Sequence, residues 1–188
     1  MGRWEPDARG RLERAAMELY GERGFEQTTV AEIAKRAGLT ERTFFRHFAD
    51  KREVLFSGAA SLQQLFVTTL AEAPDTAAPI DAVAAALEAA GALMQEGRDR
   101  VLLRQAVIDA NAELQERELI KQAFLASSIA EALRRRGVAD PAAGLAAEAG
   151  MAVFKIAFQR WVGPAEPRDL PDLIRDSLAE LKALTAAG

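Results

Sequence analysis

Between Thr28 and Phe48 the chain reads Thr-Thr-Val-Ala-Glu-Ile-Ala-Lys-Arg-Ala-Gly-Leu-Thr-Glu-Arg-Thr-Phe-Phe-Arg-His-Phe, and no other stretch constrains the fold as strongly. The pattern predicts two helices of about two turns each, joined by a tight bend at Gly38, a helix-turn-helix. Thr29 with Glu32 three residues on has the spacing of a capping box, and Thr40 is placed to cap the second helix. Ala34 is small enough for the helices to cross closely. Gly38 supplies a left-handed conformation that other residues adopt reluctantly. Ile33, Ala37, Leu39, Phe44 and Phe48 are expected to fill the wedge against a preceding long helix. Thr28 and Thr29, and Glu41, Arg42, Thr43, Arg46 and His47, are left to face outward.

The remainder is expected to be all-α. Alanine, the best helix former, makes up about a fifth of the 188 residues, and no segment sustains the period-2 alternation of a strand. Glycine and proline punctuate the helical stretches, which fall at about 7–23, 28–37, 41–47, a longer one from Asp50, then 80–95, 99–110, 113–136, 141–162 and 170–186, about nine helices in all. Residues 54–71 carry no charge, but Ser57, Ser61, Gln63, Gln64, Thr68 and Thr69 within them favour a buried helix over a membrane span. Ala73-Pro74-Asp75-Thr76 marks the clearest linker of the first half. The expected organisation is a three-helix unit over 1–50 and a larger helical unit over 51–188.

Composition excludes several function classes. With no cysteine and one histidine, there is no disulfide scaffold, thiol nucleophile or cysteine-ligated metal, and little material for a triad. No phosphate loop or nucleophile–base pairing occurs, so neither an enzyme nor a cofactor or metal is expected. The first six residues lack the apolar region of a secretory signal, which makes the cytoplasm the expected location. Net charge is −4, yet residues 1–56 are close to balanced while the rest is acidic. A local basic face therefore remains compatible with an acidic chain.

Residues 24–56 resemble the DNA-binding segment of the tetracycline-repressor (TetR) family of bacterial transcriptional regulators. The resemblance rests on Gly24-Phe25, Thr28 or Thr29, Ile33-Ala34, Ala37-Gly38-Leu39-Thr40, Phe45 with Phe48, and Asp50-Lys51. Phe45 stands where the family has a tyrosine whose hydroxyl commonly reaches a phosphate. Arg42 stands where many members have a small residue. The resemblance implies a DNA-binding unit followed by a ligand-binding and dimerisation unit. In this reading Thr28, Thr29, Thr40 and Lys51 contact phosphates, with His47 a phosphate or packing residue. Arg42, Thr43 and Arg46 reach base edges, the Thr43 methyl meeting a thymine. Glu41 either accepts from a cytosine or stabilises its helix N-terminus.

The last two predicted helices carry apolar stripes that serve either the protomer core or association. By the resemblance they form a two-fold bundle, with Leu145, Met151, Phe154, Leu173, Ile174, Leu178 and Leu181 at the dimer interface. Phe66, Met94, Leu102, Gln105, Asp109, Phe124, Phe158 and Trp161 are the candidates for a pocket holding a mostly apolar small-molecule effector. The expected function is a ligand-responsive regulator, a repressor binding a palindromic operator as a homodimer. An activator of the same family and an all-helical interaction protein that does not touch DNA are the alternatives.

Overall fold

A computed structural model describes residues 7–163 and 167–186. All regular structure among them is helical: α1 (Ala8–Arg23), α2 (Val30–Arg36), α3 (Glu41–His47), α4 (Lys51–Phe56), α5 (Ala59–Glu72), α6 (Pro79–Glu96), α7 (Arg98–Asp109), α8 (Ala112–Arg135), α9 (Ala142–Trp161) and α10 (Leu170–Ala186). The long helix expected from Asp50 is interrupted. The Ser57 hydroxyl bonds back to the Val54 carbonyl at 3.0 Å and Gly58 follows, separating α4 from α5. Counted as one interrupted helix, this pair brings the described helices to nine. The stretch Lys51–Glu72 is long and apolar enough to cross a bilayer by length and composition alone. Val54, Leu55, Phe66 and Leu70 within it are nonetheless buried in the protein.

The chain forms two compact units, one of Met1–Gly58 with Asp99–Glu118, the other of Ala59–Arg98 with Leu119–Gly188. In the first, α1 is the central helix. Leu12, Ala15, Ala16, Leu19 and Tyr20 recur at helical spacing and are all buried, against Ile33, Phe44 and Phe48 of the following segments. Val54 and Leu55 of α4 join this core, as do Val107 and Ile108 of α7 and Leu114 of α8. The first unit therefore reaches beyond residue 50 and recruits two later segments. Arg104 helps to hold them: its guanidinium donates to the Leu55 carbonyl at 2.6 Å, pairs with Glu118 at 2.6 Å and lies over the Phe56 ring. Arg52 pairs with Glu113, and Arg117 with Glu53, so α4 is tied to the start of α8 as well.

In the second unit α6 packs against α5, α9 and α10. Close approach needs small residues. A Cβ on Gly150 of α9 would lie 2.4 Å from Val83 Cγ1, and one on Gly91 of α6 would lie 2.9 Å from Ile174 Cδ1. Ala143, Ala147 and Ala157 share this inward face of α9. Leu173 and Ile174, expected at a dimer interface, are instead fully buried in the protomer core. The reason is geometric: the apolar stripe of α10 meets the glycine-cut surface of α6 within the same chain. Trp161 is also fully enclosed, its indole N–H donating to Gln95 Oε1 at 2.8 Å.

Candidate nucleic-acid interface

The helix-turn-helix is built by local rules. Thr29 and Glu32 close the capping box, the Thr29 N–H donating to Glu32 Oε2 at 2.9 Å and the Glu32 N–H to Thr29 Oγ1 at 3.3 Å. The Thr29 N–H first, and then the Thr29 hydroxyl donating to the same oxygen, hold the Glu32 carboxyl below its ordinary range. At the bend Gly38 has φ +67°, and the Leu39 N–H returns to the Ala34 carbonyl at 2.8 Å. Arg11 of α1 donates to the Ala37 carbonyl and approaches Gly38 so closely that a Cβ there would lie 2.8 Å from its guanidinium. A side chain at position 38 is therefore opposed chiefly by the left-handed backbone conformation, the flexible Arg11 guanidinium having to move aside. Thr40 caps α3 through the Thr43 N–H at 3.2 Å.

Asp50 caps α4, accepting from the Arg52 N–H at 2.8 Å and the Glu53 N–H at 3.1 Å. Burial pushes its carboxyl up, but the hydrogen bonds and charge of Arg52 outweigh burial and the net shift is downward. Tyr20 donates to the Lys51 carbonyl at 2.6 Å; burial, with the charge of Asp50 behind it, raises its phenol, which stays protonated.

On α3, Phe44 and Phe48 point inward and Glu41, Arg42, Phe45 and Arg46 form the exposed face. Among the described residues neither Arg42 nor Arg46 has an ion-pair or hydrogen-bond partner. The contrast with the neighbouring arginines is sharp. Arg9 pairs with Glu13, Arg14 with Asp7, Arg23 with Glu32, Arg36 with Glu18 and Glu22, and Arg52 with Asp50. Lys35, exposed in the last turn of α2 and likewise unpaired, was not among the expected site residues. Its only sequence signal is a position two residues before the bend.

Several expected contacts are corrected. Thr28 is 1% exposed, its hydroxyl donating to the Gly24 carbonyl at 2.9 Å, so it secures the α1–α2 connection and cannot reach a phosphate. The Thr29 hydroxyl is taken by Glu32 at 2.9 Å, which places a carboxylate where an anion would have to approach. Lys51 turns inward: its ammonium donates to the carbonyls of Phe25 at 2.8 Å, Glu26 at 3.2 Å and Thr28 at 3.0 Å, and lies over the Phe25 ring. All three of its N–H bonds are used within the protein. His47 is half-buried with Nε2 enclosed and unpartnered, facing the protein. Thr43 is half-buried, with Oγ1 3.1 Å from Thr40 Oγ1.

The expected pocket residues divide between the two units. Leu102, Gln105 and Asp109 belong to the first unit and Phe66, Met94, Phe124, Phe158 and Trp161 to the second. Gln105 donates to Asp109 on the surface at 2.7 Å, Phe124 is exposed, and Phe66 is buried. Phe158 and Trp161 do meet, with ring centroids 5.8 Å apart. A groove of about 810 Å³ on α9 and α10 is lined by other residues, including Val153, Ile156, Arg160, Ser177, Leu181 and Leu184. A smaller hollow of about 320 Å³ in the first unit is lined by Tyr20, Phe25, Leu103 and Asn111 among others. Phe66 and Trp161 went to the core, which composition cannot distinguish from a pocket wall. Among the described residues no group of three His, Cys, Asp or Glu is placed to hold a metal ion.

A three-helix head whose third helix, α3, faces solvent with arginines unpartnered among the described residues has the form of a helix-turn-helix unit. Residues 13–57 match the family described as bacterial regulatory proteins, tetR family. The HTH-type transcriptional regulator TcmR of Streptomyces glaucescens is 36% identical over 89 residues, which is 47% of this chain and 39% of TcmR. Two solved structures are similar over nearly the whole chain. The Thermus thermophilus FadR, a TetR-family transcriptional repressor in complex with lauroyl-CoA, is 27% identical with a TM-score of 0.59, covering 93% of both chains. SmeT, in complex with triclosan, is 25% identical with a TM-score of 0.66, covering 96% of this chain and 90% of its own. Residues 13–57 thus carry a segment like the DNA-binding head of the tetR family of bacterial regulatory proteins, and the match spans well under half the length of TcmR.

Proposed function

We propose that the protein is a ligand-responsive repressor that binds a two-fold symmetric operator as a homodimer and is released by a largely apolar small molecule. The observation that carries the DNA-binding part is the exposed face of α3. Two guanidinium groups with no partner among the described residues share that face with Phe45, while the neighbouring Arg9, Arg36 and Arg52 of α1, α2 and α4 are paired. Free guanidinium groups on a helix narrow enough for the major groove suit bidentate contact with guanine O6 and N7. The intracellular location follows from the DNA target.

The dimer rests on α9 and α10. With Leu173 and Ile174 committed to the core, the surface left is Leu145, Ile156 and Leu184, which are 67%, 52% and 71% exposed, with Leu181 at the groove wall. Three large exposed apolar side chains on adjacent helices fit a second copy, and a single head binds DNA too weakly to serve alone. The repressor reading and the apolar effector draw on FadR with lauroyl-CoA and SmeT with triclosan. Effector and operator must then weaken each other's binding by the same factor.

Selection of bound duplexes from a random pool, with sedimentation of the same protein, tests the reading. The expected result is a dimer that enriches an inverted repeat with half-sites about 34–36 Å apart or a multiple of it. Ile156→Glu with Leu184→Glu should give a folded monomer that loses the paired half-site preference. A wild-type monomer, or a pool with no enriched symmetry, would overturn it.

A further inference from the structure

Phe45 is 55% exposed, an aromatic ring standing on a face otherwise made of charged groups. Its orientation is set from below. The ring meets the fully buried Phe44 edge-on, with centroids 5.5 Å apart and an interplanar angle of 84°. At helical spacing Phe45 lies between Glu41 and Arg42 around the exposed face, with Arg46 beyond Arg42. A face that meets base edges through Arg42 and Arg46 therefore brings Phe45 to base edges too. The ring has no polar atom and can only gain from apolar contact. In the major groove the one apolar group on a base edge is the C5-methyl of thymine.

From this, and resting on the DNA-binding reading above, we infer that Phe45 is a specificity-determining residue that selects a thymine in each half-site by packing on its methyl group. The role assigned from sequence to Thr43 passes to Phe45. Thr43 is half-buried and its hydroxyl is engaged with Thr40. Phe45 stands clear of the protein, with room for a methyl against its outer face.

The test uses the selected operator duplex and a set in which each thymidine in turn is replaced by deoxyuridine, which removes only the methyl. Binding is measured for the wild-type protein and for Phe45→Ala. At one position per half-site, deoxyuridine should weaken the wild-type protein about fourfold, the effect of leaving one buried methyl unburied. At the same position it should leave Phe45→Ala unchanged. Phe45→Ala should lose no more stability than its ring contact with Phe44 supplies, and comparing duplexes at conditions where both proteins are folded separates a readout loss from a folding loss. Equal deoxyuridine responses in both proteins at every position would overturn the role of Phe45 while leaving DNA binding standing. Failure of the wild-type protein to bind any duplex would overturn both.

Discussion

Replacing Arg42 and Arg46 together by alanine is expected to lower operator affinity by about 2–6 kcal/mol, because each guanidinium reading a base edge contributes about 1–3 kcal/mol. Stability should change by less than about 0.5 kcal/mol, since both side chains are exposed and neither has a partner among the described residues. Arg36→Ala is the matched control. Its guanidinium is occupied by Glu22 at 2.9 Å and Glu18 at 3.2 Å, so its removal should leave base preference intact. The readouts are anisotropy binding curves on the selected operator and on a scrambled duplex, with urea denaturation alongside. Specific binding should collapse towards the scrambled level in the double variant. Retention of full sequence preference by that variant would remove α3 as the reading element.

Lys51→Met should produce the opposite pattern, a loss of fold without a loss of readout. Methionine keeps the apolar stem against Phe25 but deletes three charge-assisted hydrogen bonds to the carbonyls of Phe25, Glu26 and Thr28. Those carbonyls belong to the turn that delivers the chain into α2, and both Phe25 and Thr28 are buried. Leaving them unsatisfied should cost about 2–4 kcal/mol. Denaturation of the wild-type and variant proteins measures this directly. Under conditions where the variant is folded, the salt dependence of its DNA binding should match the wild type. A phosphate contact would instead reduce the salt slope by about 1 without destabilising the protein. Wild-type stability with a shallower slope would restore Lys51 to the DNA-contacting set.

The reassignments of Lys51 and Thr28 share a cause with that of the dimer residues. Capping boxes, the Gly38 bend and the stripe of α1 depend on residues within a few positions of one another, so α2 and α3 were legible residue by residue. The partners of Lys51 lie 23–26 residues away, in carbonyls that every residue possesses, and no side-chain pattern announces them. Thr28 looks like a helix-mouth hydroxyl until the Gly24 turn folds it back into the core. Leu173 and Ile174 read as an outward stripe because the glycine that receives Ile174, Gly91, lies on a different helix. Arg42 and Arg46 read as outward-facing from helical spacing, but that they lack the acidic partners held by Arg9, Arg14, Arg23, Arg36 and Arg52 is a property of the folded surface.

DNA binding through α3 is tested most directly by the salt dependence of binding to the selected operator. Titration from 50 to 200 mM salt should show log K falling linearly with log[salt], at about −0.9 per phosphate neutralised, for a duplex holding both half-sites. The double Arg42→Ala, Arg46→Ala variant should bind operator and scrambled duplex alike, with a salt slope no steeper than the wild type's. Binding that is indifferent to salt, or equally tight for operator and scrambled duplex in the wild-type protein, would contradict it.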